Sequence, residues 1–218
     1  MKMKPCMKTA YIPQWSILIA LALTVLPATD SLADKVKANN TIPLNEAASW
    51  TNNAVPTNTE FGVWNATVAA ENTTNALGAD LTWGGIKIID PGGPIWLTAS
   101  NTLSLNGVSG TGIDLSSATH DLKLDNSTVL NAAQIWDVGS SRTLIVGGAV
   151  SGAYGLTKNG GGTLVLAPVA ATNTYTGGTI VNAGVLQVGG STAAMSAGAT
   201  SSSAVQFPNS ATPICSPR

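Results

Sequence analysis

Apolar and polar residues alternate in short segments that recur along the second half of the chain. The segments are TLSL at 102–105, DLKL at 121–124, TLIV at 143–146, TLVL at 163–166 and VLQV at 185–188, and they start 19, 22, 20 and 22 residues apart. In each one the second and fourth residues are Leu or Val, the period of two expected for a strand with one buried face. Repeats of this length indicate stacked units that bury their apolar faces only against neighbouring units.

Further apolar runs fall between most of these segments, and turn-forming residues separate the two kinds of run. The runs lie at 113–115, 135–138, 154–156 and 180–181, and Gly, Asn and Ser dominate the corners between them. Glycine and asparagine are the residues that tight turns favour. We therefore predict an all-β protein, a short parallel β-helix or β-solenoid over residues 81–190 with two or three strands per coil.

If the five segments stack, one residue of each faces outward in a column. These residues are Ser104, Lys123, Ile145, Val165 and Gln187. Two of them, Ile145 and Val165, would be apolar neighbours on the surface. They are either an isolated apolar pair, as many surfaces carry, or a place that another segment or a partner covers.

Residues 1–33 are typical of an export signal. A segment with three lysines precedes an apolar run of 11 residues at 16–26, and small residues follow at 31–33. Such a run is too short to cross a bilayer, which takes about 20 residues. We expect cleavage after Ala33, with Ala28 as the alternative position, and we expect the mature protein to be secreted without a transmembrane segment.

The two ends of the mature chain differ from the repeats. Residues 34–80 are rich in Asn, Thr and Ala, with Trp50, Phe61 and Trp64 as large anchors, and they predict an N-terminal cap of strands and loops over the first coil. A disordered leader is the alternative. Residues 191–218 form a low-complexity tail that we expect to be disordered. The last coil then has an open edge, at which edge-to-edge self-association is expected.

Charge and cysteine content exclude several classes of protein. Without the signal, seven basic and ten acidic residues remain, and they are scattered, so we predict no nucleic-acid partner. Cys6 lies in the signal and Cys215 is then alone, which excludes an intramolecular disulfide. Phosphate loops, dinucleotide fingerprints, nucleophile elbows and Cys/His metal spacings are absent from the sequence, and we predict no cofactor and no metal.

The best candidates for catalysis are polar residues around the second segment. They are His120, Asp121 and Asp125, with Asp114 nearby and Arg142 one coil later. Paired carboxylates on one face could act as general acid and base on a glycosidic bond, and Asp clusters also bind Ca²⁺. However, Asp121 and Asp125 flank a strand, where turn-forming Asp is common. We therefore predict no catalytic residue.

Residues 155–190 carry a specific resemblance to a known family. The stretch contains G-L-x-K-x-G-x-G-T-L-x-L, then N-T-Y-T-G-G-T, then V-N-A-G-x-L-x-V. In this order the motifs resemble the autotransporter-associated β-strand repeat of passenger domains in Gram-negative bacteria. The resemblance implies a right-handed parallel β-helix outside the cell or on its surface. It also implies that the repeat assists folding and export rather than chemistry. This sequence departs from the family's pattern in a longer link at 167–172.

We therefore expect an exported, non-catalytic structural or adhesive solenoid, secreted or associated with the outer membrane surface. Its expected partners are surface glycans or neighbouring solenoid chains. Residue 190 is not followed by the alternating segments of a membrane barrel, so we expect a fragment of a longer surface protein. The alternative is a β-helical carbohydrate-active enzyme, a polysaccharide lyase or hydrolase, or its inactive remnant.

Overall fold

The protein is a parallel β-solenoid of about six turns, which confirms the predicted all-β fold. The computed structural model describes residues 34–169 and 172–189, together with the backbone of two short strands at 205–206 and 211–215. The predicted export signal lies outside the described residues. Two 3₁₀ helices, Ala47–Ser49 and Ala70–Asn72, accompany the strands.

The strands are short, and each coil contributes two or three of them. In chain order they are β1 Lys35–Val36, β2 Phe61–Trp64, β3 Thr74–Asn75, β4 Leu81–Trp83, β5 Gly85–Ile88, β6 Ile95–Leu97, β7 Thr102–Leu105, β8 Thr111–Leu115, β9 Leu122–Leu124, β10 Ser127–Leu130, β11 Gln134–Val138, β12 Thr143–Val146, β13 Val150–Ser151, β14 Leu156–Asn159, β15 Thr163–Leu166, β16 Thr179–Val181, β17 Gly184–Val188, β18 Val205–Gln206 and β19 Ala211–Cys215.

Three parallel sheets run along the solenoid. The first sheet has the order β1-β2-β5-β8-β11-β14-β16-β18, the second β4-β7-β10-β13, and the third β3-β6-β9-β12-β15-β17-β19. In each sheet a strand pairs with the corresponding strand of the next coil. Each sheet is therefore formed by backbone hydrogen bonds between successive coils, since a strand has no strand partner within its own coil.

The core consists of residues that occupy the same register position in successive coils. In the third sheet Leu122, Leu144, Leu164 and Leu186 are Cα partners in turn, and each is at most 4% exposed. Alternation places their neighbours in sequence on the outside, which is the pattern that predicted these strands. These leucines belong to one core, to which all three sheets contribute buried residues.

One predicted alignment is wrong. The TLSL segment is β7, and it lies in the second sheet, where Ser104 pairs with Thr82 and Val129. The strand that precedes β9 in the third sheet is β6, so Trp96 rather than Ser104 is the neighbour of Lys123. Every strand of the solenoid alternates toward the same core, and the repeat length alone therefore does not identify the sheet to which a segment belongs.

Residues 34–80 contribute strands to the first and third sheets. β1 and β2 pair with each other and β2 pairs with β5, while β3 pairs with β6. Trp50 packs edge-on against Trp64 and Trp83, with ring centroids 5.9 and 5.4 Å apart. Phe61 is only partly buried. Trp50 and Trp64 therefore pack against Trp83, which follows the predicted cap of residues 34–80. The boundary of the cap at residue 80 stays a prediction.

Two segments of the C-terminal tail also form strands. β18 pairs in parallel with β16, and β19 pairs with β17 from Gly184 to Val188. These pairings extend the first and third sheets by one strand each. The rest of the tail lies outside the described residues, where disorder stays a prediction.

Some corners leave no room for a side chain because two coils approach closely. Gly160 has a φ of +77°, and a Cβ there would lie 2.2 Å from the carbonyl oxygen of Val138 on the preceding coil. Gly110 has a similar φ of +85°, but a Cβ would have no neighbour within 4 Å. Both positions need the left-handed backbone that glycine adopts freely. Only at Gly160 does the neighbouring coil also leave no space for a side chain.

These two glycines form a matched pair for a stability experiment. We expect Gly110→Ala to lower the free energy of unfolding by about 1 kcal/mol, because alanine pays for the left-handed backbone. Gly160→Ala should lower it by a further 1–3 kcal/mol or so, because its Cβ also overlaps the neighbouring coil. Urea unfolding of both variants beside the wild type measures the two losses. Equal losses would show that contact between coils does not set the requirement for Gly160.

Candidate functional site

The outward face of the third sheet carries a column of side chains that crosses the coils. Trp96 stands out in it, since 40% of its surface is exposed, whereas the other tryptophans of the described residues are at most 1% exposed. In order along the solenoid the column is Thr74, Trp96, Lys123, Ile145, Val165 and Gln187.

Ile145 and Val165 are stacked neighbours in this column, as predicted. They are Cα partners on β12 and β15, and both are partly buried. Because neither is more than half exposed, the structure does not contradict the prediction that a segment or partner covers them. That cover stays a prediction.

Trp96, Lys123 and Asp125 form a compact group, which we call the Trp96 cluster. The indole Nε1 of Trp96 donates a hydrogen bond of 2.7 Å to Oδ2 of Asp125. The ammonium group of Lys123 lies 2.7 Å from the same oxygen and 4.7 Å from the centre of the Trp96 ring. The three side chains therefore hold one another through a charge-assisted hydrogen bond, an ion pair and a cation–π contact.

Two open cavities of about 370 Å³ each adjoin the Trp96 cluster and share Lys123. The first cavity lies toward the start of the strands and is lined by Pro94, Trp96, Asp121, Lys123 and Ile145, among others. The second lies toward their end, and its lining includes Asp125, Ser127, Gly147 and Val169. The cluster thus forms a ridge between the two cavities.

Asp121 and its neighbours connect the coils at the start of β9. Oδ1 of Asp121 accepts a hydrogen bond of 2.9 Å from the backbone N–H of Thr143 on the next coil, and it lies 3.7 Å from Nη1 of Arg142. Arg142 donates to the carbonyl of Thr119, and Nδ1 of His120 lies 3.0 Å from the Thr119 hydroxyl. Asp121 therefore caps a backbone group, which gives it a structural role.

Asp114 lies in the first sheet, beside a carboxylate that the sequence pattern did not single out. The Cα partner of Asp114 is Asp137 on the next coil. Lys87 forms an ion pair with Asp114 at 3.3 Å. Burial works against ionisation of Asp114, but hydrogen bonds from Ser116 and the charge of Lys87 outweigh burial and lower its pKa. Burial and then the charge of Asp114 raise the pKa of Asp137.

The structure does not bring the five candidates for catalysis together. Asp114 is on the first sheet, whereas Asp121 and Asp125 flank β9 in the third. Four residues of extended chain place the Cα atoms of Asp121 and Asp125 about 13 Å apart. A two-carboxylate glycosidase holds its carboxyl groups about 5–9.5 Å apart. Asp114 and Asp137 face each other on neighbouring coils of the first sheet, close enough for the charge of Asp114 to raise the pKa of Asp137.

Lys158 is buried within the repeat and donates hydrogen bonds to carbonyl groups at a corner. Its Nζ donates to the carbonyls of Asn159 and Gly160 at 2.6 and 2.7 Å, and to that of Ala183 on the next coil at 3.3 Å. Burial lowers its pKa from 10.5 to about 8, while the charge of Asp137 opposes that shift. The three donors of one ammonium group thus satisfy carbonyls that the turn leaves unpaired.

Asparagine side chains also join successive coils. Nδ2 of Asn182 donates to Oδ1 of Asn159 at 2.8 Å, so the two side chains are stacked at this corner. Asn131 and Asn106 repeat the arrangement at 3.0 Å. Oδ1 of Asn173 accepts a hydrogen bond of 2.8 Å from the backbone N–H of Val150 on the preceding coil. Corners of the solenoid therefore exchange hydrogen bonds between coils as its strands do.

The described residues contain neither a metal-binding cluster nor a helix that could span a membrane. No group of three or more His, Cys, Asp or Glu side chains there is arranged to hold a metal ion. Over the same residues, none of the helices has the length and apolar character required to span a membrane.

Two residues of interest, Trp96 and Asp137, were not singled out by the sequence patterns. The Ile-Trp-Leu order of β6 carries a signal for Trp96, because alternation turns the middle residue outward. Lys158 is the lysine of the G-L-x-K motif, and alternation from the buried Leu156 turns it inward. Its burial depends on carbonyls from two coils, which no local pattern contains.

Comparison with known proteins identifies the repeat. The family model described as passenger-associated-transport-repeat matches residues 156–188, which confirms the resemblance over that stretch. No curated protein and no solved structure matches the chain. The matched residues run from the start of β14 to the end of β17, and they contain Lys158, Asn173 and Tyr175. The matched stretch also contains Asn182, whose side chain bonds Asn159 on the preceding coil.

The buried position of Lys158 predicts a dependence of stability on pH. Between about pH 8 and pH 10.5 the unfolded chain binds more protons than the folded one, so the free energy of unfolding rises with pH. Lys158→Met keeps the volume and removes the titrating group. From pH 7 to pH 9.5 the wild type should gain about 1–2 kcal/mol relative to this variant, as urea unfolding would measure.

A second variant repeats this experiment at another buried lysine. Burial also lowers the pKa of Lys37 to about 8, so Lys37→Met should change the pH profile in the same direction. Parallel profiles of wild type and both variants would contradict the account.

Proposed function

We propose that the protein is an exported, non-catalytic structural or adhesive solenoid that acts as a segment of an autotransporter-type passenger. The observation that carries the proposal is the match of residues 156–188 to a passenger-associated repeat, within a parallel solenoid. Passenger-type repeats fit a secreted or surface location. The sequence of residues 1–33, with its lysines and short apolar run, supports the same location.

The geometry supports a mechanical and presenting role. A solenoid with a continuous leucine core and hydrogen-bonded corners is a rigid support, and its outward columns repeat at the spacing of the coils. Repeated positions on a rigid support favour several weak contacts at once over a single strong contact. Surface glycans or neighbouring solenoid chains are the partners that we propose for these columns.

Export is tested by expressing the complete chain in a Gram-negative host. We expect cell fractionation to find the protein outside the cytoplasm, and mass spectrometry to find a chain that begins at Asp34. A variant with Leu21→Arg and Leu23→Arg interrupts the apolar run and should keep the full-length protein in the cytoplasm. Uncleaved wild type in the cytoplasm would overturn the export proposal.

The absence of catalysis is tested with the purified exported protein and a panel of neutral and acidic polysaccharides. We expect no new reducing ends from hydrolysis and no unsaturated products from a lyase reaction. If products form, Asp137→Asn is the decisive variant, because Asp137 and Asp114 are the facing carboxylates of the first sheet. Product formation that Asp137→Asn abolishes would establish the enzyme alternative.

A further inference from the structure

We propose that the Trp96 cluster and the two cavities beside it form a binding site for a neutral saccharide. The proposal deepens the adhesive role and rests on the proposed function, since a surface solenoid needs a place where it contacts a glycan. The site lies on the outward face of the third sheet and at the corner between β9 and β10, and it requires no chemical step.

The ring of Trp96 is exposed on the outward face of the third sheet. The described part of the chain buries its four other tryptophans almost completely, yet this one keeps 40% of its surface exposed. A sugar ring has an apolar face of C–H groups, whose partial positive charge suits the negative face of an indole. The face of the Trp96 ring that Lys123 does not cover is therefore a platform on which a pyranose can stack.

The ring is also held in place before any ligand arrives. The hydrogen bond from Nε1 to Asp125 fixes the plane of the indole, and the ammonium group of Lys123 lies over the ring at 4.7 Å. An aromatic group that is already ordered loses little conformational entropy on binding. This ordering distinguishes Trp96 from an exposed apolar side chain without polar partners.

The polar groups of the cluster have bonding capacity left for hydroxyl groups. Trp96 and Lys123 both bond Oδ2 of Asp125, which leaves its Oδ1 available to accept. That oxygen is directed toward Gly147 in the second cavity, since a Cβ on Gly147 would lie 2.3 Å from it. Lys123 uses one of its three donors on Asp125 and can give two to a ligand. An acceptor and donors beside an aromatic face match the edge of a sugar.

Charge indicates a neutral ligand. The two cations near the cavities, Lys123 and Arg142, are paired with Asp125 and Asp121 at 2.7 and 3.7 Å. A phosphate or a chain of uronic acids would meet two carboxylates and no excess positive charge. Neutral hexoses meet no such repulsion.

The size and arrangement of the cavities indicate more than one sugar unit. Each cavity of about 370 Å³ is in the range of small-molecule sites, and the two adjoin across Lys123. A short oligosaccharide lying along the strands would place one unit in each cavity with the Trp96 ridge between them. Both cavities are open to solvent, so we expect dissociation constants of about 0.1–10 mM for one site.

The test measures binding of the purified exported protein to cellotetraose, maltotetraose, chitotetraose and mannotetraose by titration calorimetry, with polygalacturonate as the acidic comparison. We expect at least one neutral tetrasaccharide to bind. Trp96→Ala should weaken that binding at least 10-fold, and Trp96→Phe should weaken it less, because the phenyl ring keeps a face without the Nε1 donor. Asp125→Asn should also weaken it.

Tyr154→Ala is the matched control, because Tyr154 is 47% exposed and lies outside the lining of both cavities. It should bind as the wild type does, and circular dichroism should show all variants folded. The proposal is overturned if no neutral tetrasaccharide binds, if Trp96→Ala binds equally well, or if polygalacturonate binds more tightly than all of them. The cell fractionation described above tests export separately, so a saccharide-binding protein that stays in the cytoplasm would refute export and leave this site standing.

Discussion

The structure depends on in-register stacking of parallel coils. The strands of one coil have no hydrogen-bond partners within that coil, so their backbone groups are satisfied by the coils above and below. This register aligns Leu122, Leu144, Leu164 and Leu186 in one buried column, which joins the core that the three sheets share. Stability is then a property of neighbouring pairs, as in other repeat proteins.

Stacking creates a second requirement at the corners, where the backbone turns and its polar groups lose their strand partners. The chain meets it with side chains that reach between coils, as Lys158, Asn182 and Asp121 do. It also meets it with a glycine such as Gly160, where the approach of the next coil leaves no room for a Cβ. The family match falls on a coil rich in these devices, which gives a physical reason why such a repeat has a recognisable sequence.

Because the inside of the solenoid is committed to stacking, chemistry that varies between coils is confined to the outside. The third sheet uses that freedom for a tryptophan, a lysine and a carboxylate that bond one another. The first sheet uses it for Lys87, Asp114 and Asp137, whose charges are offset less completely. Two faces of one rod can thus present different surfaces to the environment without disturbing the shared core.

The sequence by itself determined the class of fold and the identity of the repeat. Alternation marks a strand locally, and the order of Gly, Asn-Thr-Tyr and Asn-Ala-Gly positions is characteristic without any coordinates. Only the tertiary structure decided which strand lies beside which. Strands of all three sheets share one alternating pattern, and the coil from β6 to β9 contains more residues than its neighbours, so counting residues placed Ser104 where Trp96 lies. The cluster that unites Trp96 with Asp125 is a product of this register, because its members are 29 residues apart in the chain and meet only when the coils stack.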